Sequence, residues 1–570
     1  MRQRRVKFHQ SSKASHKLPC LAVAASATMA SRVAVQLKRV YRILRLWRLV
    51  QNIKGASMAT AVLSVYDKNG LVALAKGLKE MGWKLLATGG TLKAIRDAGL
   101  DAQEVAGHTG APECFDGRVK TLHPRIHGGL LFNRELPEHV EDAKRLGIEA
   151  IDLVVVNLYP FEATIANKDA SFEDCIEQID IGGPSMIRSA AKNHASVTVL
   201  VDPSQYGPFL EKMKDGSWSK ADRRACALEA YKRTSAYDAA ISSWLEAQAG
   251  KSGSGLPKQV SVNLSVKQEL RYGENPHQAA GFYSMRGAPS EGIAACEQLQ
   301  GKELSFNNLL DADGAARVVW QLEEPGCVIV KHNNPCGIGL GSDPLEAFSK
   351  ALASDPISAY GGIVAFNRPI GPQVAVEMAK TFWEVILAPG FEEGALEALA
   401  AKKQLRILKT QQRWPSCAGG MDMRSIGGGF LLQGPDDSFV PVGQWETKVA
   451  GNSPKPPDKD LMLAQIAAKA LKSNSIALVK DGGTVGVGAG QMSRVDSVEI
   501  ACRKAGERAL GAVLGSDAFF PFADGLELAA KNGVAAFIEP GGSVRDGEVI
   551  EAASRLGVWL FFTGMRHFRH

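Results

Sequence analysis

From about residue 59 onward, short apolar runs end in Gly-, Asn- or Asp-containing turns and give way to mixed stretches of helical length. Ala61-Val62-Leu63-Ser64-Val65 reads as a strand, and Asp67-Lys68-Asn69-Gly70 turns it into a helix running through Met81. A second strand, Trp83 to Ala87, meets Thr88-Gly89-Gly90-Thr91 and then a helix over Leu92 to Ala98. Further strands are predicted over Ile151 to Val156 and Val197 to Val201, where β-branched residues dominate. The second half repeats the pattern at Cys327 to Val330, Ile363 to Phe366, Ile476 to Val479 and Trp559 to Phe562, and Asp481-Gly482-Gly483 reads as a hairpin into Thr484 to Gly490. Strands alternating with helices predict an α/β fold, with a doubly wound parallel sheet in the first half. Ala221 to Gln248 is rich in Ala, Arg, Glu and Leu and predicts one or two helices, while Ala249 to Gly255 has the Gly/Ser composition of a flexible linker. The expected division is an extension over 1–57, a first domain over 58–200, a helical spacer and linker over 201–255, and a second domain with two subdomains over 256–570.

Charge changes the picture only at the head. Residues 1–57 hold thirteen Lys or Arg and no Asp or Glu, so removing them turns a net +7 into about −6 for the remainder. That body gives no general case for nucleic-acid binding. An acid-free, Arg-rich head containing Ser and Ala has the composition of an organelle transit peptide, and Val33 to Val50 fits a basic amphipathic helix; a translated upstream segment with Met58 as the working start is the other reading. The expected compartment is the plastid stroma, with mitochondrion or cytosol as alternatives. No apolar run is long enough to span a membrane. The nine Cys are scattered without a C-x-x-C, which suggests neither a disulfide framework nor a zinc ribbon.

Candidate chemistry clusters where predicted strands end. Strand, Gly89-Gly90, helix is a geometry that cradles phosphate, because glycines let backbone N–H groups approach and the helix N-terminus carries partial positive charge; the same Gly-Gly also makes ordinary turns. Arg118, Lys120 and His123 share a loop that suits an anionic substrate or stands as a solvated basic loop. Tyr159 follows a strand, where a phenol can donate to a developing oxyanion or pack under the loop. Lys331 and His332 close the run Cys327-Val328-Ile329-Val330 and precede Asn333-Asn334-Pro335, which reads as the turn. Ligands of open α/β sheets bind beyond the strands' carboxyl ends, and an imidazole is suited to proton transfer near neutral pH. Two solvated polar residues at a strand end are the plainer reading. Arg271, in Leu270-Arg271-Tyr272-Gly273-Glu274-Asn275-Pro276-His277-Gln278, suits a phosphate through its planar fork or marks a surface turn.

These strings carry a resemblance. Gly117-Arg118-Val119-Lys120-Thr121-Leu122-His123-Pro124 and Asp180-Ile181-Gly182-Gly183, within residues 60–250, resemble the cyclohydrolase half of a bifunctional family of purine biosynthesis, which pairs a formyltransferase acting on aminoimidazole carboxamide ribonucleotide (AICAR) with inosinate cyclohydrolase. The resemblance implies a methylglyoxal-synthase-like fold. It implies that Lys120, Tyr159, Asp180 and Lys192 serve ring closure, and that Ser64, Lys68, Thr88, Gly89, Gly90, Thr91, Arg118 and Thr121 hold the nucleotide and its phosphate. From about Leu256 onward, Lys331 to Gly337 and Leu270 to Gln278 resemble the family's formyltransferase half, with a cytidine-deaminase-like fold. There Lys331 and His332 are the candidate catalytic residues on the chemistry of an imidazole beside an ammonium, and the resemblance implies Arg271, Tyr272, Asn308, Gly361, Asn474, Arg494, Phe519, Arg566 and His570 as lining the AICAR and folate pockets. It implies 10-formyltetrahydrofolate as co-substrate, no metal, and a homodimer building two sites across its interface. Asn333-Asn334 follows the bacterial and plant form, and Arg569 departs from members with His there.

Two other readings are weighed. A zinc deaminase needs Pro-Cys-x-x-Cys with His-x-Glu, yet Pro335-Cys336 is followed by Gly339 and neither Lys331 nor His332 begins a His-x-Glu string. A regulatory nucleotide-binding module without catalysis is the second, since folds do not fix function. The joint presence of Lys120, Tyr159, Asp180 and Lys192 argues against it.

Overall fold

The computed structural model describes residues 58–112, 114, 115, 118–249, 256–285, 291–411, 414, 415 and 420–570. The predicted head (1–57) and most of the predicted linker (250–255) lie outside them. Chain contacts divide the molecule into two units, one reaching to Asp238 and one starting at Ala239.

The first unit is built on five strands: β1 (Thr60–Val65), β2 (Lys84–Ala87), β3 (Gln103–Glu104), β4 (Leu153–Asn157) and β5 (Thr198–Leu200). All pairings are parallel, in the order β3-β2-β1-β4-β5. Such strands bury both faces, and Val62, Leu63, Leu86, Val154 and Val155 have no exposed surface. The chain leaves β1 toward β2 and β3 and returns on the other side as β4. The switch point therefore opens beyond the carboxyl ends of β1 and β4, where ligands bind in doubly wound sheets. Helices α1 (Leu71–Glu80), α2 (Gly89–Asp97), α3 (Pro124–Leu131), α4 (Gly182–Lys192) and α5 (Lys220–Gln248) complete what is needed to follow the site. α2 begins at Gly89, three residues before the expected Leu92. Thr88 is still extended, and Gly89 takes a φ of 39°, the left-handed side that favours glycine.

The second unit carries one sheet of twelve strands, ordered β16-β21-β20-β19-β17-β18-β10-β9-β11-β12-β13-β8, and two separate hairpins. In chain order they are β6 (Leu264–Leu270), β7 (Ala280–Met285), β8 (Glu297–Gln300), β9 (Gly326–Lys331), β10 (Asn334–Leu340), β11 (Ile363–Phe366), β12 (Val385–Ala388), β13 (Arg406–Lys409), β14 (Asp422–Ile426), β15 (Gly429–Gln433), β16 (Glu446–Val449), β17 (Ile476–Lys480), β18 (Gly483–Gly488), β19 (Val513–Ser516), β20 (Ala536–Glu539) and β21 (Trp559–Phe562). Within the large sheet the order reads alike from both ends: an antiparallel outer strand, three parallel strands, then an antiparallel hairpin. The two hairpins meet in the middle at Gly339 and Gly483. Side chains alternate across the pleat, so Val328 and Val330 enter one core while Cys327 and Ile329 enter another.

One expectation about this sheet needs correcting. The turn after Lys331 is the two-residue step His332-Asn333, and Asn334-Pro335 already belongs to β10. Both turn residues have positive φ, 54° and 57°, as a hairpin matching the sheet's twist requires. Pro335 is tolerated inside the strand because the ladder shifts register between Pro335 and Gly337.

Candidate active site

In the first unit the residues at the switch point line a cleft of about 700 Å³. β1 delivers Ser64, whose hydroxyl meets that of Thr88 at 2.9 Å. Thr91 fixes the strand end by accepting from the Val65 N–H and donating to its carbonyl, both at 3.0 Å. Asn157, ending β4, accepts from the N–H groups of Tyr66 and Asp67 and so holds the loop carrying Lys68. Lys68 donates to the carbonyls of Val65 and Tyr66. The α2 N-terminus at Gly89-Gly90 faces the same space, leaving backbone N–H groups for an anion.

The opposite wall comes from 118–121 and 176–183. Arg118 pairs with Glu177. Asp180 accepts from the Gly183 N–H at 2.8 Å, and burial raises its proton affinity against that bond and one from the Tyr159 backbone. The Asp180 N–H donates to the buried Tyr237 phenol, which donates to the Gln178 carbonyl, so the carboxylate sits on a fixed backbone. A Cβ on Gly182 would lie 2.6 Å from Thr121 Oγ1, and one on Gly183 would lie 2.3 Å from Asp180 Oδ2. The Gly-Gly pair is thus what lets α4 start against this wall. Tyr159 is exposed at the rim, edge-on to Tyr66 with ring centroids 6.0 Å apart.

The cleft gathers Ser64, Lys68, Thr88, Gly89, Gly90, Thr91, Arg118, Lys120, Thr121, Tyr159 and Asp180. It does not gather Lys192, which ends α4, exposed, ten residues beyond Gly182 or about 15 Å along the helix axis. His123 turns out to be the N-cap of α3, accepting from the Arg125 N–H. Pro124 in the first turn is a helix-start signal that the reading of a basic loop passed over.

In the second unit, Lys331 donates to the Tyr360 carbonyl at 2.8 Å, and His332 stands exposed at the hairpin tip. The two oxygens of Asp311 accept from the N–H groups of His332 (3.0 Å) and Asn333 (2.7 Å). Arg569 donates to Asn333 Oδ1, and Asn334 Oδ1 accepts from the Lys472 N–H. The Ser473 N–H donates to the Arg569 carbonyl. The hairpin, the segment 472–474 and the C-terminal strap are therefore one hydrogen-bonded assembly. Asn474 Oδ1 accepts from Arg494, which is buried against Asp517 at 2.5 Å and Ser516 at 2.7 Å. Arg494 is thereby committed to holding Asn474 and the loop that leads to half-buried Phe519. His570 lines a second cleft, of about 750 Å³, together with Asn333 and Arg569, and its carbonyl accepts from Arg424. Arg566 lies over the Phe568 ring, 4.4 Å from its centre.

The remaining expected residues have local duties. Asn308 is buried in the capping box of a helix, α6 (Phe306–Val319), where its Oδ1 accepts from the Ser305 N–H. Gly361 takes a φ of 71° and donates to the Phe382 carbonyl. Arg271 stacks on Tyr272, 4.8 Å from the ring centre, at the end of β6. Asp311, Asn333, Lys472 and Asp517 were missed; only their three-dimensional neighbours reveal them. Among the described residues no group of three or more His, Cys, Asp or Glu could hold a metal ion.

Comparison with known proteins bears on both units. Residues 190–504 match the family model described as AICARFT/IMPCHase bienzyme, and residues 70–185 match the MGS-like domain. The Bifunctional purine biosynthesis protein PurH of Rhodospirillum rubrum is 50% identical over 523 residues, covering 90% of this chain and 98% of its own. Its namesakes in Desulfitobacterium hafniense and Roseobacter denitrificans are 50% and 49% identical, each over 90% of this chain and 99% of theirs. The crystal structure of ForH is 37% identical over 33% of this chain and 98% of its own, with a TM-score of 0.29. A family model spanning more than half of the chain, together with relatives matched nearly end to end, leaves one conclusion: the chain belongs to the AICARFT/IMPCHase bienzyme family, and is a bifunctional enzyme of purine biosynthesis with AICAR formyltransferase and IMP cyclohydrolase activities.

Proposed function

We propose that the two reactions are divided between the units: the first closes the ring of formyl-AICAR, and the β9–β10 turn of the second transfers a formyl group from 10-formyltetrahydrofolate to AICAR. The observation that supports the first assignment is the convergence of Lys68, Arg118 and Lys120 with two helix N-termini and Asp180 in one cleft. A nucleotide phosphate fits the α2 end, where Ser64, Thr88 and Thr91 fix the backbone. Ring closure joins the carboxamide nitrogen to the formyl carbon and later expels water. Asp180, whose proton affinity burial raises, accepts the nitrogen's proton. Lys120, Tyr159 and the α4 N–H groups donate to the formyl oxygen as it gains charge. Lys120→Ala is expected to slow ring closure about 10²–10³-fold, the usual scale for removing one such donor, with formyl transfer retained. Ring closure at the parent rate would remove Lys120 from the mechanism. Lys192 enters this reading by resemblance alone, and Lys192→Ala in the same assay measures whether its side chain acts on the cleft from the far end of α4.

In the transfer, attack by the amine creates a cationic nitrogen and an anionic oxygen together. His332 takes the proton and Lys331 offers its remaining N–H donors to the oxyanion. A homodimer is part of this proposal. Leu264, Val266 and Tyr283 on the β6–β7 hairpin are exposed, as are Met423, Ile426, Phe430 and Leu431 on the β14–β15 hairpin. A hairpin apart from any larger sheet is marginally stable in water, which favours a second copy covering both. Sedimentation is expected to give a dimer; a fully active monomer at assay concentration would overturn this. Residues 1–57 are proposed as an organelle-targeting segment, removed or dispensable. Sequencing the N-terminus of the protein from its native plastids should read past Met1, whereas an intact Met1 on a cytosolic protein would refute it.

A further inference from the structure

The second unit contains the β9–β10 turn twice, once with a histidine and once without. Lys331-x₅-Gly337-x-Gly339-x-Gly341 is repeated as Lys480-x₅-Gly486-x-Gly488-x-Gly490. The likeness extends to atoms. A Cβ on Gly337 would sit 1.9 Å from the Ala351 carbonyl of a helix, α7 (Pro344–Ser354), and one on Gly486 would sit 2.2 Å from the Ala501 carbonyl of another, α9 (Arg494–Ala505). Lys331 donates to the Tyr360 carbonyl at 2.8 Å, and Lys480 donates to the Leu510 carbonyl at 2.9 Å. Asp311 receives the N–H groups of His332 and Asn333, one on each oxygen. Asp460, on the preceding helix α8 (Asp458–Ala470), receives those of Asp481 and Gly482 in the same way, at 3.0 and 2.8 Å. All four turn residues have positive φ: 54° and 57° in the first copy, 52° and 75° in the second.

The repetition separates frame from chemistry. The lysine's bond to a carbonyl, the glycines and the aspartate clamp are common to both turns and so are part of the frame on which Lys331 and His332 act; the histidine is what the first copy adds. We infer that Asp311 is a positioning residue for formyl transfer. It clamps the main chain of His332 and Asn333 in a conformation that side-chain-bearing residues rarely adopt, and thereby aims the imidazole. The second copy uses a glycine at one of its two positions, whereas the first pays for His and Asn at both and then ties Asn333 to Arg569. Asp460 makes the same bonds under a turn without a histidine, and so serves as an internal control.

This inference rests on His332 being the proton acceptor, and the test keeps the two apart. Asp311→Asn, Asp311→Ala, Asp460→Asn, Asp460→Ala and His332→Ala are prepared in the full chain. Melting temperature, ring closure on supplied formyl-AICAR, and kcat and KM for transfer are then read. A misaimed catalytic group costs on the order of 10²-fold. Asp311→Asn, which keeps one acceptor oxygen, should lower transfer kcat about tenfold and Asp311→Ala about a hundredfold, with KM for AICAR within a factor of about three and ring closure unchanged. The Asp460 variants should lose a similar amount of melting temperature and keep transfer within a factor of about two. If Asp311→Ala does not fold, Asp311→Asn decides. Transfer kcat unchanged in Asp311→Asn, or lowered equally by Asp460→Asn, overturns the inference while leaving His332 in place. Transfer at the parent rate in His332→Ala overturns the reading beneath it.

Discussion

His332→Ala is expected to lose formyl transfer by about 10²–10⁴-fold, the usual worth of a positioned base, while closing the ring on supplied formyl-AICAR at the parent rate. The nitrogen that attacks the formyl carbon is an amine conjugated to an aromatic ring, a weak nucleophile that must lose its proton as the bond forms. An imidazole within reach of it lowers that barrier most near neutral pH. The geometry makes the substitution clean. His332 is exposed at a hairpin tip and its main chain is held by Asp311, so truncating the ring removes little packing and leaves the clamp's bonds available. The cleft proposed for ring closure is lined entirely by residues of the first unit, so its rate should not depend on His332, and a melting temperature at the parent value checks that the second unit is folded. Loss of transfer at an unchanged melting temperature assigns the chemistry to His332; transfer within a factor of a few of the parent removes it.

Glu539→Gln is expected to flatten the pH dependence of stability of the second unit. Glu539 ends β20 with no exposed surface. One oxygen accepts from the Phe520 N–H at 2.6 Å, and the other has no partner among the described residues. Burial pushes its carboxyl up to about 8 from an ordinary value of 4.5; Asp546 adds to the rise, and the Phe520 bond and Arg494 oppose it. Below pH 4.5 the group is protonated both folded and unfolded, and pH has no effect through it. Between 4.5 and 8 only the unfolded chain ionises, so stability falls as pH rises, and above 8 the loss is complete. About 3.5 units of difference correspond to a loss on the order of 5 kcal/mol. Glutamine keeps an acceptor for Phe520 and cannot ionise. Urea unfolding at pH 5 and pH 8 should therefore show the parent losing stability between the two and the variant losing less. Equal slopes in parent and variant would show that Glu539 does not carry this linkage. Because glutamine keeps the acceptor for the Phe520 N–H, the same substitution should leave the loop bearing Phe519 in place.

Much of this was readable before any coordinates. Runs such as Cys327 to Val330 are short, β-branched and bounded by turn residues, so they could only be buried strands or fragments of buried helix, and their length favoured strands. The glycine turn at one end of the first cleft was legible because Thr88-Gly89-Gly90-Thr91 sits between a strand and a helix, a local arrangement. What escaped was set by partners far along the chain. Arg494, expected by resemblance to line a pocket, proves to be tied to Asp517. Nothing around Asp311 in the sequence marks it out, and it proves to hold a turn 21 residues away. Lys192 shares a helix with the Gly182-Gly183 wall, and only the helix's length separates it from the cleft. The repeated turn was present in the sequence as well. Its common positions are one lysine and three glycines, too few to stand out until the two hairpins are seen side by side at the centre of one sheet.

One incubation tests the central claim that this chain carries both reactions in sequence. The purified protein is given AICAR and 10-formyltetrahydrofolate, and inosinate and free tetrahydrofolate are followed together. Inosinate appearing in step with tetrahydrofolate, one for one, is the predicted result. Formyl-AICAR accumulating without inosinate, or a formyl donor left unconsumed, would contradict it.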